Sequence, residues 1–262
     1  MDSIDAGLFL LLIGVGAFCQ TITGFAMALI IMGGAAALDL ALVSFSAAVV
    51  SIVSLVNVIA ALRHSYRHVD RRLLAHLCLG MIPALIAGVV LLGFLSESSQ
   101  TLLRKILGGV IIMAGLLQLM KPQPWAQRSA PLYASLAGCL GGLTGGLLST
   151  GSAPIAFFMY RQPIDFEIIR ATLLSIFAVS TLGRTLVISA AGHITAEILI
   201  MSSIAIPLVL LATTLAHRAA PYLSDMLVRK AVLALLILVG SLGGFQWGSG
   251  VFQGDLGGFQ GV

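Results

Sequence analysis

Hydrogen-bond donors and one positive charge occur in this sequence at places where a hydrophobic segment should carry neither. Two clusters of hydroxyl, amide and glycine residues interrupt the longest apolar runs, and Arg184 lies deep in another run whose one carboxylate, Glu167, is at its very start. Hydroxyl groups, backbone N–H groups at a helix start and guanidinium groups bind anions. The sequence therefore predicts an anion site with the following candidate residues: Gln20, Thr21, Thr23, Gly24, Asn57, Ser149, Thr150, Gly151, Ser152 and Arg184.

The elements that carry these residues are membrane spans. Of the 262 residues, 59% are hydrophobic and 9% are charged, and the mean hydropathy is +1.08, whereas soluble domains carry about 25% charged residues. No basic residue precedes the first apolar run, so a cleavable signal peptide is not expected. The composition predicts an all-α polytopic membrane protein with apolar segments at 6–37, 40–62, 73–95, 102–120, 130–160, 166–191, 196–216 and 227–245.

The chain contains an internal repeat. Segments 6–37 and 130–160 are both too long for a single span, and each is interrupted near its middle. Their shared residues are Gly14 and Gly141, Thr23 and Thr150, Gly24 and Gly151, and Ala26 and Ala153, and Asn57 matches Arg184 by the same offset. We predict one transmembrane domain, 1–246, made of repeats 1–122 and 123–246, followed by a Gly-rich tail, 247–262.

The distribution of Lys and Arg predicts how the two long segments cross the membrane. Eight conventional spans, the alternative, divide the basic loop residues six against seven, although short cytoplasmic loops should hold an excess. If segments 6–37 and 130–160 each turn back at their polar break, the division becomes eleven against two, with only Arg104 and Lys105 outside. We therefore expect two inverted repeats, each a re-entrant or broken hairpin plus three transmembrane helices.

A half-helix should begin just after each Thr-Gly pair and point its unpaired N–H groups into a cavity. Two alternatives remain open at this stage. The Ser, Thr and Gly residues could serve helix packing, and Arg184 could extend to the membrane interface.

Other kinds of site find no support in the sequence. Ser152 has small neighbours like a hydrolase nucleophile, but no histidine lies inside a later span to act as its base. The spacing of Cys19, Cys78 and Cys139 matches no metal or redox pair. We expect no enzyme activity, no cofactor and no metal. The net charge of +4 is explained by short loops, so lipid and a small anion are the expected partners and nucleic acid is not. A homo-oligomer is compatible with the sequence.

The two Gly-rich stretches also resemble a known family. "GVGAFCQTITGFAMALI" (14–30) and "GGLTGGLLSTGSAPIAFFMY" (141–160), followed by "RQPIDFEIIR", are similar to sequences of the sulfite exporter TauE/SafE permeases, the toluene sulfonate uptake permease group. The resemblance implies a permease of the bacterial inner membrane that carries sulfite or an organosulfonate. It also implies that Gln20, Thr23, Gly24, Gly151 and Ser152 line the path. We expect alternating access, and the alternative is an anion channel.

Cysteine labelling tests the predicted hairpin in the second repeat. In a cysteine-free background, Arg128→Cys and Asp165→Cys should react with a membrane-impermeant maleimide from the same side of the membrane. Both residues flank segment 130–160, and a hairpin returns the chain to the side from which it entered. Labelling from opposite sides would show that the segment crosses the bilayer.

Overall fold

The computed structural model describes residues 3–63, 65–98, 102–103, 105–106, 108–110, 113 and 124–219, except for the side chains of 96–98 and 152. The helices are α1 Ser3–Thr23, α2 Met27–Ala37, α3 Val43–Leu62, α4 Arg71–Ser98, α5 Pro131–Leu148, α6 Ser152–Tyr160, α7 Phe166–Ala190 and α8 Ala196–Ala219, with a 3₁₀ turn at Tyr66–His68. Most of segment 102–120, segment 227–245 and the tail 247–262 lie outside the described residues.

In the described part of the chain, six helices are long and apolar enough to cross a membrane, namely α1, α3, α4, α5, α7 and α8. Within the described residues there is no strand. The predicted all-α polytopic fold is therefore confirmed.

Helices α1 and α2 form an antiparallel hairpin with arms of unequal length. A Cβ built on Gly16 would lie 3.2 Å from the carbonyl oxygen of Met27, and one built on Gly34 would lie 2.7 Å from the side chain of Leu12. The first arm, α1, has 21 residues, and the returning arm, α2, has 11. Since a helix rises about 1.5 Å per residue, the returning arm spans only about 16 Å and cannot cross a bilayer.

The second repeat contains the matching hairpin, α5 with α6. A Cβ built on Gly141 would lie 2.4 Å from the side chain of Ile155, which shows that α6 runs back along α5. The two arms have 18 and 9 residues. The predicted hairpins are therefore present in both repeats, and neither break is bridged by a continuous helix.

The polar residues of segment 6–37 do not themselves break helix α1. The hydroxyl of Thr21 lies 2.8 Å from the carbonyl oxygen of Ala17, and that of Thr23 lies 2.8 Å from the carbonyl oxygen of Cys19. Both bonds reach back four residues, so the helix offers each hydroxyl group an acceptor. The chain leaves the helix only at Gly24, whose φ of 84° is a left-handed conformation that glycine adopts without strain.

Helices α4 and α5, which belong to different repeats, pack with their backbones in contact. A Cβ on Gly80 would lie 1.9 Å from the carbonyl oxygen of Ser135, and one on Gly138 would lie 2.1 Å from that of Leu77. The contact continues at Gly88, Gly142 and Gly146. Small residues at four-residue spacing permit such close approach of helices in a bilayer. This pair joins the two halves without side chains between the backbones.

The loops before and after hairpin α5–α6 lie side by side at one end of the bundle. The backbone N–H of Trp125 donates to the carbonyl oxygen of Arg161 at 2.7 Å, and the Arg161 guanidinium lies over the Trp125 ring. At the same end Arg128 forms a 3.1 Å ion pair with Asp70, just before α4. The charge count predicts this grouping of the basic loops.

Two hydrophobic clusters fill the bundle, and α3 passes from one to the other. The first contains Val43 to Val53 of α3 together with Phe9 of α1, and the second contains Val58 of α3 together with Phe25 at the first hairpin tip. Two polar residues of α3, Ser54 and Asn57, lie between the two clusters.

Substituting a glycine in the α4–α5 contact should destabilise the protein. Gly80→Ala places a methyl group against the backbone of α5, and overpacking of this kind costs about 1–3 kcal/mol. Gly93→Ala is the matched control, because it lies on the same helix and a Cβ built there would have nothing within 4 Å. Thermal unfolding in detergent should show a lower transition temperature for Gly80→Ala alone. Equal transition temperatures for the two variants would contradict the close packing.

Candidate functional site

One face of α3 carries three buried polar residues at intervals of three. Ser51, Ser54 and Asn57 are 0%, 3% and 0% exposed, respectively. Because a helix turns once in 3.6 residues, this spacing keeps all three on neighbouring positions of one face. Ser51 contacts the second hairpin and Asn57 contacts the first, so α3 connects the two groups of candidate residues.

The first group, the Arg184 cluster, consists of Arg184, Ser51, Ser149 and the carbonyl groups of Ala47 and Gly146. Arg184 is 2% exposed. Its Nε donates to the carbonyl oxygen of Gly146 at 2.9 Å, and its Nη1 donates to that of Ala47 at 2.6 Å and to the hydroxyl of Ser51. The Ser51 and Ser149 hydroxyl oxygens are 3.1 Å apart. The guanidinium therefore links α7 to α3 and to hairpin α5–α6.

The hydrogen bonds of Arg184 are incomplete within the described residues. A guanidinium has five N–H donors, and the two on Nη2 are buried without a partner. The hydroxyl of Thr150, next to Ser149 at the hairpin tip, is 0% exposed and also has no described partner. Unsatisfied buried donors are rare and costly. Nη2 of Arg184 and the Thr150 hydroxyl, both beside one hairpin tip, therefore indicate a place for an acceptor.

Three possible donors lie within hydrogen-bond distance of the carbonyl oxygen of Ala47. It lies 2.7 Å from the Ser51 hydroxyl, 2.9 Å from the Ser149 hydroxyl and 2.6 Å from Nη1 of Arg184. A carbonyl oxygen has two lone pairs. These donors compete, and an anion that accepts from one of them would relieve the competition.

Arg184 forms no salt bridge with a described carboxylate. Every carboxylate with a described side chain lies at a helix end or in a loop, namely Asp5, Asp39, Asp70, Asp165, Glu167 and Glu197. A buried cation in a membrane protein usually has an anionic partner or faces a cavity. The carbonyl and hydroxyl dipoles around Arg184 solvate it but do not neutralise its charge.

The second group, the Asn57 cluster, contains Gln20, Thr21, Ser54, Asn57 and Thr213. Oε1 of Gln20 accepts from the Ser54 hydroxyl and from Nδ2 of Asn57, both at 3.3 Å. Oδ1 of Asn57 accepts from the hydroxyls of Thr21 at 3.1 Å and Thr213 at 2.6 Å. The cluster joins α1, α3 and α8, and its members satisfy one another.

The remaining predicted residues shape the hairpin tips. The Thr23 hydroxyl accepts from the backbone N–H of Phe25 at 3.3 Å, and the Thr23 carbonyl accepts from Oη of Tyr160 at 3.0 Å. A Cβ on Gly151 would lie 2.1 Å from the carbonyl oxygen of Gly141, so only glycine fits at this tip. Ser152 begins α6, and its side chain lies outside the described residues.

The two hairpin tips lie at different levels of the bundle. A Cβ on Gly24 would lie 3.3 Å from Cα of Arg170, whereas the second tip adjoins the Arg184 cluster. These two positions on α7 are separated by about 21 Å of helix. The candidates therefore form two adjoining clusters and not one site, and Ser51 of the Arg184 cluster lies one helical turn from Ser54 of the Asn57 cluster.

Three polar side chains of the clusters are absent from the sequence-based candidates, namely those of Ser51, Ser54 and Thr213. The first two had a signal, because with Asn57 they form a polar stripe at helical spacing in an apolar segment. Thr213 had none, since its bond to Asn57 joins residues 156 positions apart.

Other features of the described structure do not fit an anion or a metal. A cavity of about 340 Å³ between α4 and α7 is lined only by apolar residues, among them Leu85, Leu182 and Leu186. No group of three or more His, Cys, Asp or Glu residues in the described part of the chain could hold a metal ion.

Comparison with known proteins shows the family. Residues 8–242 match the family model described as "Sulfite exporter TauE/SafE". A protein of Cupriavidus necator named "Probable sulfite/organosulfonate exporter TauE" is 38% identical over 230 residues, which cover 88% of this chain and 90% of that protein. No solved structure matches the chain. The chain is therefore a multi-pass membrane protein and belongs to the sulfite exporter TauE/SafE family of membrane transporters.

Proposed function

We propose that this protein is a bacterial inner-membrane permease that carries a small oxyanion, an organosulfonate or sulfite, and that the anion binds at the Arg184 cluster. The buried guanidinium of Arg184 carries the proposal, because two of its N–H donors lack a described partner. The family and the name of the Cupriavidus relative support this choice of substrate.

The chemistry of the cluster suits a tetrahedral oxyanion. Nη2 of Arg184 and the Thr150 hydroxyl lack described acceptors, and the Ser149 hydroxyl shares its acceptor with two other donors. A sulfonate or sulfite group offers three oxygens to these donors. Charge-assisted hydrogen bonds from a guanidinium are the strongest contributions available to such a site.

We assign a different role to the Asn57 cluster. Its amides and hydroxyls already bond to one another across α1, α3 and α8, which leaves them less available to a ligand than Arg184. In this proposal Gln20, Thr21 and Asn57 hold hairpin α1–α2 against the stripe of α3. Direct contact between these three residues and the anion stays a prediction.

Alternating access completes the proposed mechanism. Inverted-repeat transporters expose a site to either side by moving one group of helices against another. Here each hairpin would move relative to α3, which contributes Ser51 to the Arg184 cluster and Ser54 to the Asn57 cluster.

Counterflow in proteoliposomes tests whether the protein is a carrier, because external anion should accelerate the exit of labelled anion. Conductance without such stimulation would indicate a channel.

Arg184→Gln should lower anion exchange at least about 10-fold, because charge-assisted hydrogen bonds contribute about 1.5–3 kcal/mol each. The measurement is exchange of labelled methanesulfonate in proteoliposomes that contain equal amounts of folded protein. Arg128→Gln is the control, because the Arg128 side chain is 61% exposed. This variant should exchange methanesulfonate at the wild-type rate. Wild-type exchange by Arg184→Gln would remove Arg184 from the site.

Thr150→Val separates binding from stability at the second hairpin tip. Valine has the shape of threonine, and loss of a hydroxyl that has no partner should leave the unfolding temperature unchanged or raise it slightly. The KM for the anion should nevertheless rise about 2- to 10-fold, as expected for one lost hydrogen bond. Thr144→Val on α5 is the control, because its hydroxyl bonds within its own helix. An unchanged KM for Thr150→Val would exclude Thr150 from the site.

A further inference from the structure

The Arg184 cluster holds one positive charge and no other described charge. Helices α3, α4 and α5 surround it. Of these, α3 has no titratable side chain, α5 has only Tyr133 and Cys139, and the described titratable groups of α4 are Arg71, Arg72, His76 and Cys78. On α7 the nearest charged residue is Arg170, 14 positions earlier, or about 21 Å along the helix.

From this charge balance we infer that the site accepts its oxyanion only as a monoanion. The inference rests on the proposed function and narrows its substrate class. Organosulfonates with no second negative charge and hydrogensulfite would be carried, and the sulfite and sulfate dianions would be rejected. The distinction concerns charge, because all these anions present tetrahedral or pyramidal sulfur-bound oxygens of similar size.

The energetic reason is the cost of removing an anion from water. The energy of a charge in a low-dielectric environment grows with the square of the charge, so a dianion costs about four times as much to bury as a monoanion. Its attraction to a single guanidinium is only about twice as large. A monoanion leaves the pair with Arg184 neutral, and a dianion leaves an uncompensated negative charge inside the bundle.

The hydrogen-bond donors in and beside the cluster do not close this gap. The hydroxyls of Ser51, Ser149 and Thr150 and the two N–H groups on Nη2 can each donate one hydrogen bond. Hydrogen bonds stabilise a second charge less than a second cation does, and the nearby carbonyl groups of Ala47 and Gly146 oppose a negative charge.

Proton equilibria of the substrates give the test. An alkanesulfonate is a monoanion at all pH values near neutrality, sulfate is a dianion there, and sulfite changes from hydrogensulfite to the dianion close to neutral pH. Proteoliposomes with the full-length protein would be assayed under anaerobic conditions at slightly acid, neutral and slightly alkaline pH. The readout is exchange of labelled methanesulfonate, sulfite or sulfate at constant total concentration.

Methanesulfonate exchange should change less than about twofold with pH, and sulfite exchange should fall with the hydrogensulfite fraction, approaching about tenfold per pH unit where the dianion dominates. Sulfate should exchange no faster than in protein-free liposomes. Sulfite exchange that follows the dianion fraction, or sulfate exchange as fast as that of methanesulfonate, would overturn the monoanion inference and leave the proposed function in place. Exchange of none of the three anions would overturn both.

Thermal unfolding in detergent gives a second readout that does not depend on transport. A ligand that binds the folded protein raises its transition temperature. Methanesulfonate should raise it for the wild type, sodium sulfate at matched ionic strength should not do so beyond its general salt effect, and the methanesulfonate shift should disappear in Arg184→Gln. A sulfate shift that also disappears in Arg184→Gln would contradict the monoanion inference.

Discussion

A guanidinium buried in an apolar bundle needs hydrogen-bond acceptors, and the packing of the helices in this bundle depends on where the acceptors of Arg184 come from. Its Nε and Nη1 donate to carbonyl groups of hairpin α5–α6 and of α3. These carbonyl groups are available because both segments approach α7 closely. The second hairpin, the polar stripe of α3 and the long helix α7 are thereby joined at one buried charge, and that charge lacks a described counter-ion.

The glycine contact between α4 and α5 is the packing that supports this arrangement. Gly146 faces α4 with almost no space for a side chain, since a Cβ there would lie 2.2 Å from the carbonyl oxygen of Leu85. Its own carbonyl oxygen accepts from Arg184. One residue thus contacts a neighbouring helix on one side and the charge on the other. The position of the second hairpin follows from backbone contact, which is stiffer than contact between long side chains.

Much of the fold could be predicted from the sequence, and the pairing of the site residues could not. Hydrophobic length and the Lys and Arg distribution predicted the second hairpin, and the internal repeat extended that prediction to the first. The sequence pattern did not indicate that Thr21 and Thr23 stay helical, because a hydroxyl can either compete with the helix or bond to the carbonyl four residues earlier. Contacts such as Ser51 with Ser149, 98 positions apart, depend on how the repeats interlock, and local periodicity carries no information about that.

The hydrogen bond from Tyr160 to the carbonyl of Thr23 gives the two hairpins a mechanical relation. Tyr160 ends α6, the returning arm of hairpin α5–α6. Thr23 ends α1, the first arm of hairpin α1–α2. The base of one hairpin is therefore fastened to the tip of the other. In the proposed alternating access, this bond would make the first tip and the root of the second hairpin move together while it holds, so the two hairpins would not open independently.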